Sequence, residues 1–212
     1  VLWNRSCASC GRAGPSPCDA CVAAARRNER SIVLDGLDAV TAPYDYEGSI
    51  RQLVLAVKYR RDRSALAWLA LRLAEAAGAL DLDPATTVTW PTTTAHRRRR
   101  RGFDQGELIA RRVAAELGLP AKRLLRRLPG PSQTGRSGTD RHQGPGFVAR
   151  RPVGSVLVVD DVVTTGATLR CAAAELRRGG AWAVSGAAIA ATGRGSAGFG
   201  TSASGRSTLR ER

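Results

Sequence analysis

The 212-residue chain contains no methionine, two histidines and only two lysines, Lys58 and Lys122. With His96 and His142 as the sole imidazoles, each reads more simply as a polar loop residue than as a general base. No stretch approaches the roughly 18 uninterrupted apolar residues that a membrane span requires. Arg5 and Cys7 arrive before any hydrophobic run that could serve as a secretory h-region. The expectation is a soluble, cytoplasmic protein without a membrane span. A start at Val1 in a chain without Met adds the expectation that the initiator residue is missing or the start uncertain. A Walker A loop is excluded, because no Gly-Lys-Ser/Thr occurs. A phosphoacceptor receiver domain is excluded too: no aspartate follows Asp161.

What is present points to an ordinary α/β domain with a small appendage. A hydrophobic content of 43% can supply a real core. The net charge of +15 has two readings. It can serve polyanion binding through counterion release, or it can reflect the arginine-rich, Ala/Gly-rich composition of a GC-rich genome. Charge alone does not choose between them.

Four of the five cysteines form Cys7-x-x-Cys10 and Cys18-x-x-Cys21. Thiolates at this spacing face one metal, and two such pairs complete a tetrahedral Zn²⁺ site with no open position, hence a structural one. Gly11, Pro15 and Pro17 suit the tight turns required. A disulfide framework is the alternative, but nothing in the chain indicates an oxidising compartment. Cys171 falls in a helical stretch and reads as packing.

Along the rest of the chain, Ile32 to Val40 reads as a short strand before a Pro43-Tyr44 turn. Ile50, Leu53, Val54 and Val57 recur at i, i+3, i+4, i+7 and predict a helix ending near Tyr59. Leu66, Leu69, Ala70, Leu73 and Ala77 predict a second one to about Leu80. Thr86 to Trp90 is β-branched and ends at Pro91, a strand. A loop with five arginines, Arg97 to Arg101, precedes a helix marked by Ile109, Val113 and Leu117 and stopped by Gly118 and Pro120. Pro129 to Gly146 has no apolar periodicity and reads as a long functional loop. Val156 to Val159 is a continuous apolar run, the mark of a strand buried on both faces. A helix from Thr168 to Leu176 and a strand from Trp182 to Ala190 complete a βαβ unit. Gly193-x-Gly195-x-x-Gly198 matches a dinucleotide fingerprint, but the remaining residues cannot build the helix that fingerprint needs.

The candidate chemistry lies where the buried strand ends. Asp160 and Asp161 can accept charge-assisted hydrogen bonds from two sugar hydroxyls. Thr164, Thr165, Gly166, Ala167 and Thr168 lead into a helix whose N-terminal N–H groups and dipole favour an anion. Gly166 is expected to let the backbone approach a ligand closely. An acidic pair and a phosphate cradle about one sugar apart describe a ribose 5-phosphate site. The bland reading makes the acidic pair a helix N-cap with a solvated neighbour.

VLVVDDVVTTGAT, Val156 to Thr168, resembles the thirteen-residue 5-phosphoribosyl 1-pyrophosphate (PRPP) motif of type I phosphoribosyltransferases. The wider arrangement resembles the ComF family of competence-associated phosphoribosyltransferase-like proteins. The cysteine knuckle, Tyr44, Gly48, Leu55 to Tyr59 (LAVKY), Trp90-Pro91, Arg101-Gly102-Phe103-Asp104-Gln105, Gln133, Arg141 and Phe147 all take part. About 190 of the 212 residues are covered. The resemblance implies a parallel sheet flanked by helices, with a zinc knuckle over residues 1–30, a phosphoribosyltransferase-like domain over 31–191 and a tail over 192–212. It implies that Asp160 and Asp161 bind the ribose hydroxyls and that Thr164 to Thr168 hold the 5-phosphate. Arg97, Arg98, Arg99, Arg100 and Arg101 would face a pyrophosphate–Mg²⁺ group, and Pro129 to Phe147 would form a lid. Asp104 stands where the family usually has Asn, adding a negative charge beside the phosphate site.

Two functions follow as expectations. One is phosphoribosyl transfer from Mg²⁺-PRPP to an unknown acceptor, the arginines and metal stabilising the leaving pyrophosphate. The other is non-catalytic handling of single-stranded DNA, with a partner in the DNA-uptake machinery. Against the second, only Phe103 sits beside the arginine run, whereas base stacking needs aromatic residues interleaved with basic ones.

Overall fold

The fold is organised around the valine run. In the computed structural model, which describes residues 6–60, 62–93, 104–128, 145–151 and 154–193, Val156, Leu157, Val158 and Val159 are all fully buried. They form the middle of β6 (Gly154–Val163), flanked in parallel by β3 (Thr87–Thr89) and β7 (Ala181–Ala191). Two short strands, β1 (Val40–Thr41) and β2 (Tyr44–Asp45), pair with β7 one after the other and act as one interrupted edge strand. The sheet order is β1/β2, β7, β6, β3, and all these pairings are parallel.

A parallel strand covered on both faces must be apolar on both, and alternate residues of β6 enter different cores. Leu157 and Val159 join Ile50, Leu53, Leu69, Leu73, Ile109 and Val113 on one face. These side chains come from α2 (Gly48–Leu55), α3 (Arg63–Gly78) and α4 (Gln105–Leu117). Val156 and Val158 join Leu169 and Leu176 of α5 (Ala167–Arg178) on the other. Leu125 and Phe147 complete that second core from β4 (Leu125–Arg127) and β5 (Phe147–Ala149), a small antiparallel pair.

Helix limits follow local chemistry. Asp62 caps α3 through the N–H of Ala65 at 2.9 Å, and Gly118 ends α4 at φ +68°, a left-handed conformation that suits glycine. The predicted helix through Val57 does run to the expected point. Its last turn, Ala56–Arg60, widens to a π-helix, a form often found near functional sites.

Two expectations need correction, and one element was not foreseen. Residues 32–39 are not a strand: Gly36 sits at φ +81° in a turn, and Val33 is 83% exposed. The ladder to β7 starts only at Val40–Thr41, with Asp38 tied just ahead of it: its N–H bonds Val184 C=O at 2.9 Å, and its carboxylate takes Val184 N–H and Arg177. The second correction concerns β6, which runs two residues past the acidic pair to Val163 rather than ending with it. The β4–β5 pair was not expected at all: each strand is three residues long, too short for a readable alternation.

The cysteine segment folds against this body. Cys7 accepts from Gly11 N–H and donates to Arg12 C=O, both at 2.8 Å, closing the first knuckle. Cys18 precedes a short helix, α1 (Asp19–Ala23), that carries Cys21 one turn further. Arg60 donates to the carbonyl of Ala8, and Ala8 is itself buried in the main core.

Candidate functional site

The carboxyl end of a parallel sheet is where ligand sites gather. Here a cleft of about 490 Å³ opens at that edge, lined by Lys58, Thr92, Thr93, Asp104, Arg127, Asp160, Asp161 and Thr168 among others. Its size lies within the range of small-molecule sites, and its lining is unusually polar for one.

Each carboxylate of the pair has a cation near it. Lys58 Nζ lies 2.8 Å from Asp161 Oδ2. Asp160 accepts the N–H of Asp161 on Oδ1 at 2.8 Å and feels the charge of Arg127 from β4. Burial and the Asp161 charge push Asp160 up to about 7, and the Asp161 N–H, Lys58 and Arg127 only partly offset them. The N-cap reading of the pair fails, because Gly166 is the residue that caps α5.

The predicted phosphate loop follows directly. Thr164 and Thr165 are exposed, and Thr165 Oγ1 accepts the N–H of Ala167 at 3.3 Å. Thr168 faces the large cleft, while Thr164 lines a much smaller pocket of about 30 Å³ with Asn28, Arg30 and Ile32. Gly166 also has a packing role. At φ +74° its missing Cβ would run into the Leu34 side chain rather than toward the cleft. The missing side chain makes room for Leu34.

Asp104 also has a different role. It is nearly buried, caps α4 through Gly106 N–H (3.1 Å) and holds Thr93 N–H (3.0 Å) with its other oxygen. Its charge is committed to two backbone donors instead of standing loose beside an anion. Arg97 to Arg101, His96, Gly102 and Phe103 lie outside the described residues, as do Gln133, Arg141, His142 and most of the expected lid. The flanks are described: Thr93 and Asp104 both line the cleft, and Leu128 N–H bonds Gly146 C=O at 2.9 Å across the other gap. The tail beyond Gly193 is likewise outside them.

Sequence reasoning passed over Lys58 as a site residue. A signal existed. Lys58 occupies the i+8 position of the Ile50, Leu53, Val54, Val57 stripe, where an apolar residue is expected. Arg127 carried no comparable mark.

The four cysteine sulfurs lie within 4.8 Å of one another, and Cys7, Cys18 and Cys21 are buried. All are free thiols, and the Cys10–Cys18 Sγ distance is 3.7 Å. That is too long for a disulfide, while tetrahedral ligation at about 2.3 Å per Zn–S bond places sulfurs about 3.8 Å apart. Burial works against charge on Cys7, but N–H groups of Cys10, Cys18 and Ser9 outweigh it and hold this thiol down at about 6. Cys21 feels a lowering contact from Ser9, yet burial and the other three thiols push it up to about 12. Sulfurs competing for charge in this way are a donor set that a divalent cation would satisfy. Among the described residues no helix is long and apolar enough to cross a membrane.

No protein-family model and no curated protein matches the chain. Solved structures do. An allosteric regulatory enzyme of purine biosynthesis is 22% identical with a TM-score of 0.42, over 59% of this chain and 26% of that one. A glutamine PRPP amidotransferase from B. subtilis, complexed with ADP and GMP, is 23% identical at 0.39, over 57% and 25%. The chain thus spans about a quarter of the length of both. Orotate phosphoribosyltransferase from Aeropyrum pernix is 22% identical at 0.39, over 70% of this chain and 79% of that one.

Proposed function

We propose that the protein binds Mg²⁺-PRPP or another ribose 5-phosphate ligand in the cleft at the end of β6, as a phosphoribosyltransferase-like protein with an unknown acceptor. The observation that carries this reading is the placement of Asp160, Asp161 and Thr168 in one polar cleft at the start of α5. Asp160 and Asp161 accept from the two ribose hydroxyls. The N–H groups and hydroxyls of Thr164 to Thr168 hold the 5-phosphate. Arg97 to Arg101 are assigned to the pyrophosphate side, a reading supported by Thr93 and Asp104 lining the cleft at either end of their segment. Magnesium arrives with the pyrophosphate and neutralises part of its charge. Residues 1–30 form a knuckle in which Cys7, Cys10, Cys18 and Cys21 hold a structural Zn²⁺ ahead of the ligand-binding domain, 31–191. The site needs no membrane, in keeping with a cytoplasmic protein.

The nucleic-acid reading finds less support. Among the described cleft residues Tyr59 is the one aromatic side chain, where single-strand binding uses several.

Calorimetric titration of PRPP and ribose 5-phosphate, with Mg²⁺, into the wild type and an Asp160→Asn/Asp161→Asn variant tests the proposal. Saturable binding lost in the variant supports it. Absence of binding in a folded, zinc-loaded wild type overturns it and brings DNA handling forward.

A further inference from the structure

Two carboxylates side by side in one strand repel each other, and a site that uses both as hydrogen-bond acceptors must offset that repulsion. Asp160 and Asp161 are such a pair. Alternation along β6 sends Val156 and Val158 into one core and Leu157 and Val159 into the other. Past Val159 that alternation reverses, since Val162 packs on the Leu157/Val159 core and Val163 on the Val156/Val158 core, and both members of the acidic pair between them line the one cleft. Cations reach the pair from two elements: Arg127 acts on Asp160 from β4, and Lys58, in the π-turn after α2, contacts Asp161 and acts on Asp160 as well.

The Lys58 contact is built rather than incidental. The neighbouring Ala56 and Val57 are buried, so the turn that presents Lys58 is anchored in the core. The side chains of Lys58 and Asp161 are only 19% and 24% exposed, unlike a solvated surface pair. A lysine on the apolar stripe of a helix costs burial of its charge unless something compensates, and Asp161 is what it meets.

We propose that Lys58 is the positioning residue of the cleft: it fixes the Asp161 carboxylate and supplies the charge that lets both aspartates act together as acceptors for a vicinal diol. Asp160 supports this from the other direction. Desolvation and Asp161 push it up to about 7, with Lys58 among the groups holding it down. The charged groups around Asp161 in the described cleft are Lys58 from the π-turn, Asp160 beside it, Arg127 from β4 and Asp104 at the N-cap of α4. Asp104 adds negative charge and Arg127 serves Asp160, so Lys58 is the ion-paired cation of Asp161. The diol part of the inference rests on the ribose 5-phosphate reading; the charge part does not.

The test separates the two. Carboxyl ¹³C NMR of ligand-free protein follows the aspartate pair through pH in the wild type, Lys58→Met, Lys58→Gln and Lys58→Arg. Met suits the apolar neighbours of the turn, and Gln provides a second neutral variant. Loss of the cation disfavours the ionised pair, so its upper titration step should rise by about one pH unit or more in both neutral variants. Arg should restore it. Calorimetry with ribose 5-phosphate should show the lower pH limit of binding moving up by the same interval in Met and Gln. An upper step unmoved in folded Lys58→Met and Lys58→Gln overturns the role of Lys58. A wild type whose pair titrates as expected but which binds no ribose 5-phosphate overturns the ligand reading, while the charge role stands or falls on the NMR alone.

Discussion

The Asp104 carboxylate takes the N–H of Thr93 on Oδ2 and that of Gly106 on Oδ1, so one side chain both starts α4 and ties it to the residues that follow β3. An amide has one acceptor oxygen, and its NH₂ would face a backbone N–H. Asp104→Asn should therefore lower unfolding free energy by about 1–2 kcal/mol in urea titrations, and Asp104→Ala by more. An Asn variant as stable as the wild type would refute the two-oxygen account.

Leu34 occupies the space where a Cβ on Gly166 would stand, and Gly166 is at φ +74°. Gly166→Ala should cost about 2–4 kcal/mol, from backbone strain and overpacking together. In a Leu34→Ala background the overpacking part disappears and the backbone part stays. A double-mutant cycle by thermal unfolding should thus give a coupling of at least about 1 kcal/mol. Strict additivity would mean that the two residues do not meet.

Purified protein should carry one zinc per chain by elemental analysis, and Cys18→Ser should lose most of it. Because Arg60 holds the Ala8 carbonyl and Ala8 enters the main core, metal removal by a chelator should lower the unfolding temperature of the whole chain. A wild type that holds no zinc at stoichiometric supply, or that melts identically with and without it, would contradict a structural metal.

Asp160 sits at about 7 in the fold against an ordinary 3.8. The folded state thus binds more protons than the unfolded one between those values, and stability falls as pH rises through that window. Above about pH 7 the loss is complete. Asp160→Asn keeps an oxygen for the Asp161 N–H and removes the charge. It should flatten the stability–pH slope between pH 4 and 7 and be more stable than the wild type at pH 8, by roughly 1–2 kcal/mol once solvent access through the cleft is allowed for. An unchanged slope would show that the pair is not strained.

The chain alone determined the elements with a strong, uninterrupted period. The valine run marked the central strand, and the stripes at Ile50 and Leu66 marked their helices. Gly118 and Pro120 stopped α4 where they stood, and the βαβ unit with its acidic pair and threonine loop was legible by order and spacing. The two Cys-x-x-Cys pairs named the sulfurs that come within 4.8 Å of one another. These signals are local: each depends on which face a residue takes within its own element.

Tertiary structure decided what no local pattern encodes. Lys58 meets Asp161 because a π-turn and a strand end, far apart in the chain, converge at one sheet edge. Arg127 joins them from a strand pair too short to show a period. Leu34 explains Gly166, and Thr93 explains Asp104, only once the loops are packed. Residues 32–39 form no strand because the turn at Gly36 breaks the run, and Asp38, tied to Arg177 and Val184, brings the chain onto β7 only just ahead of Val40. Propensity proposes an element from its own residues; the partners that confirm it, or turn its side chains to another use, are supplied by distant segments brought into contact by the core.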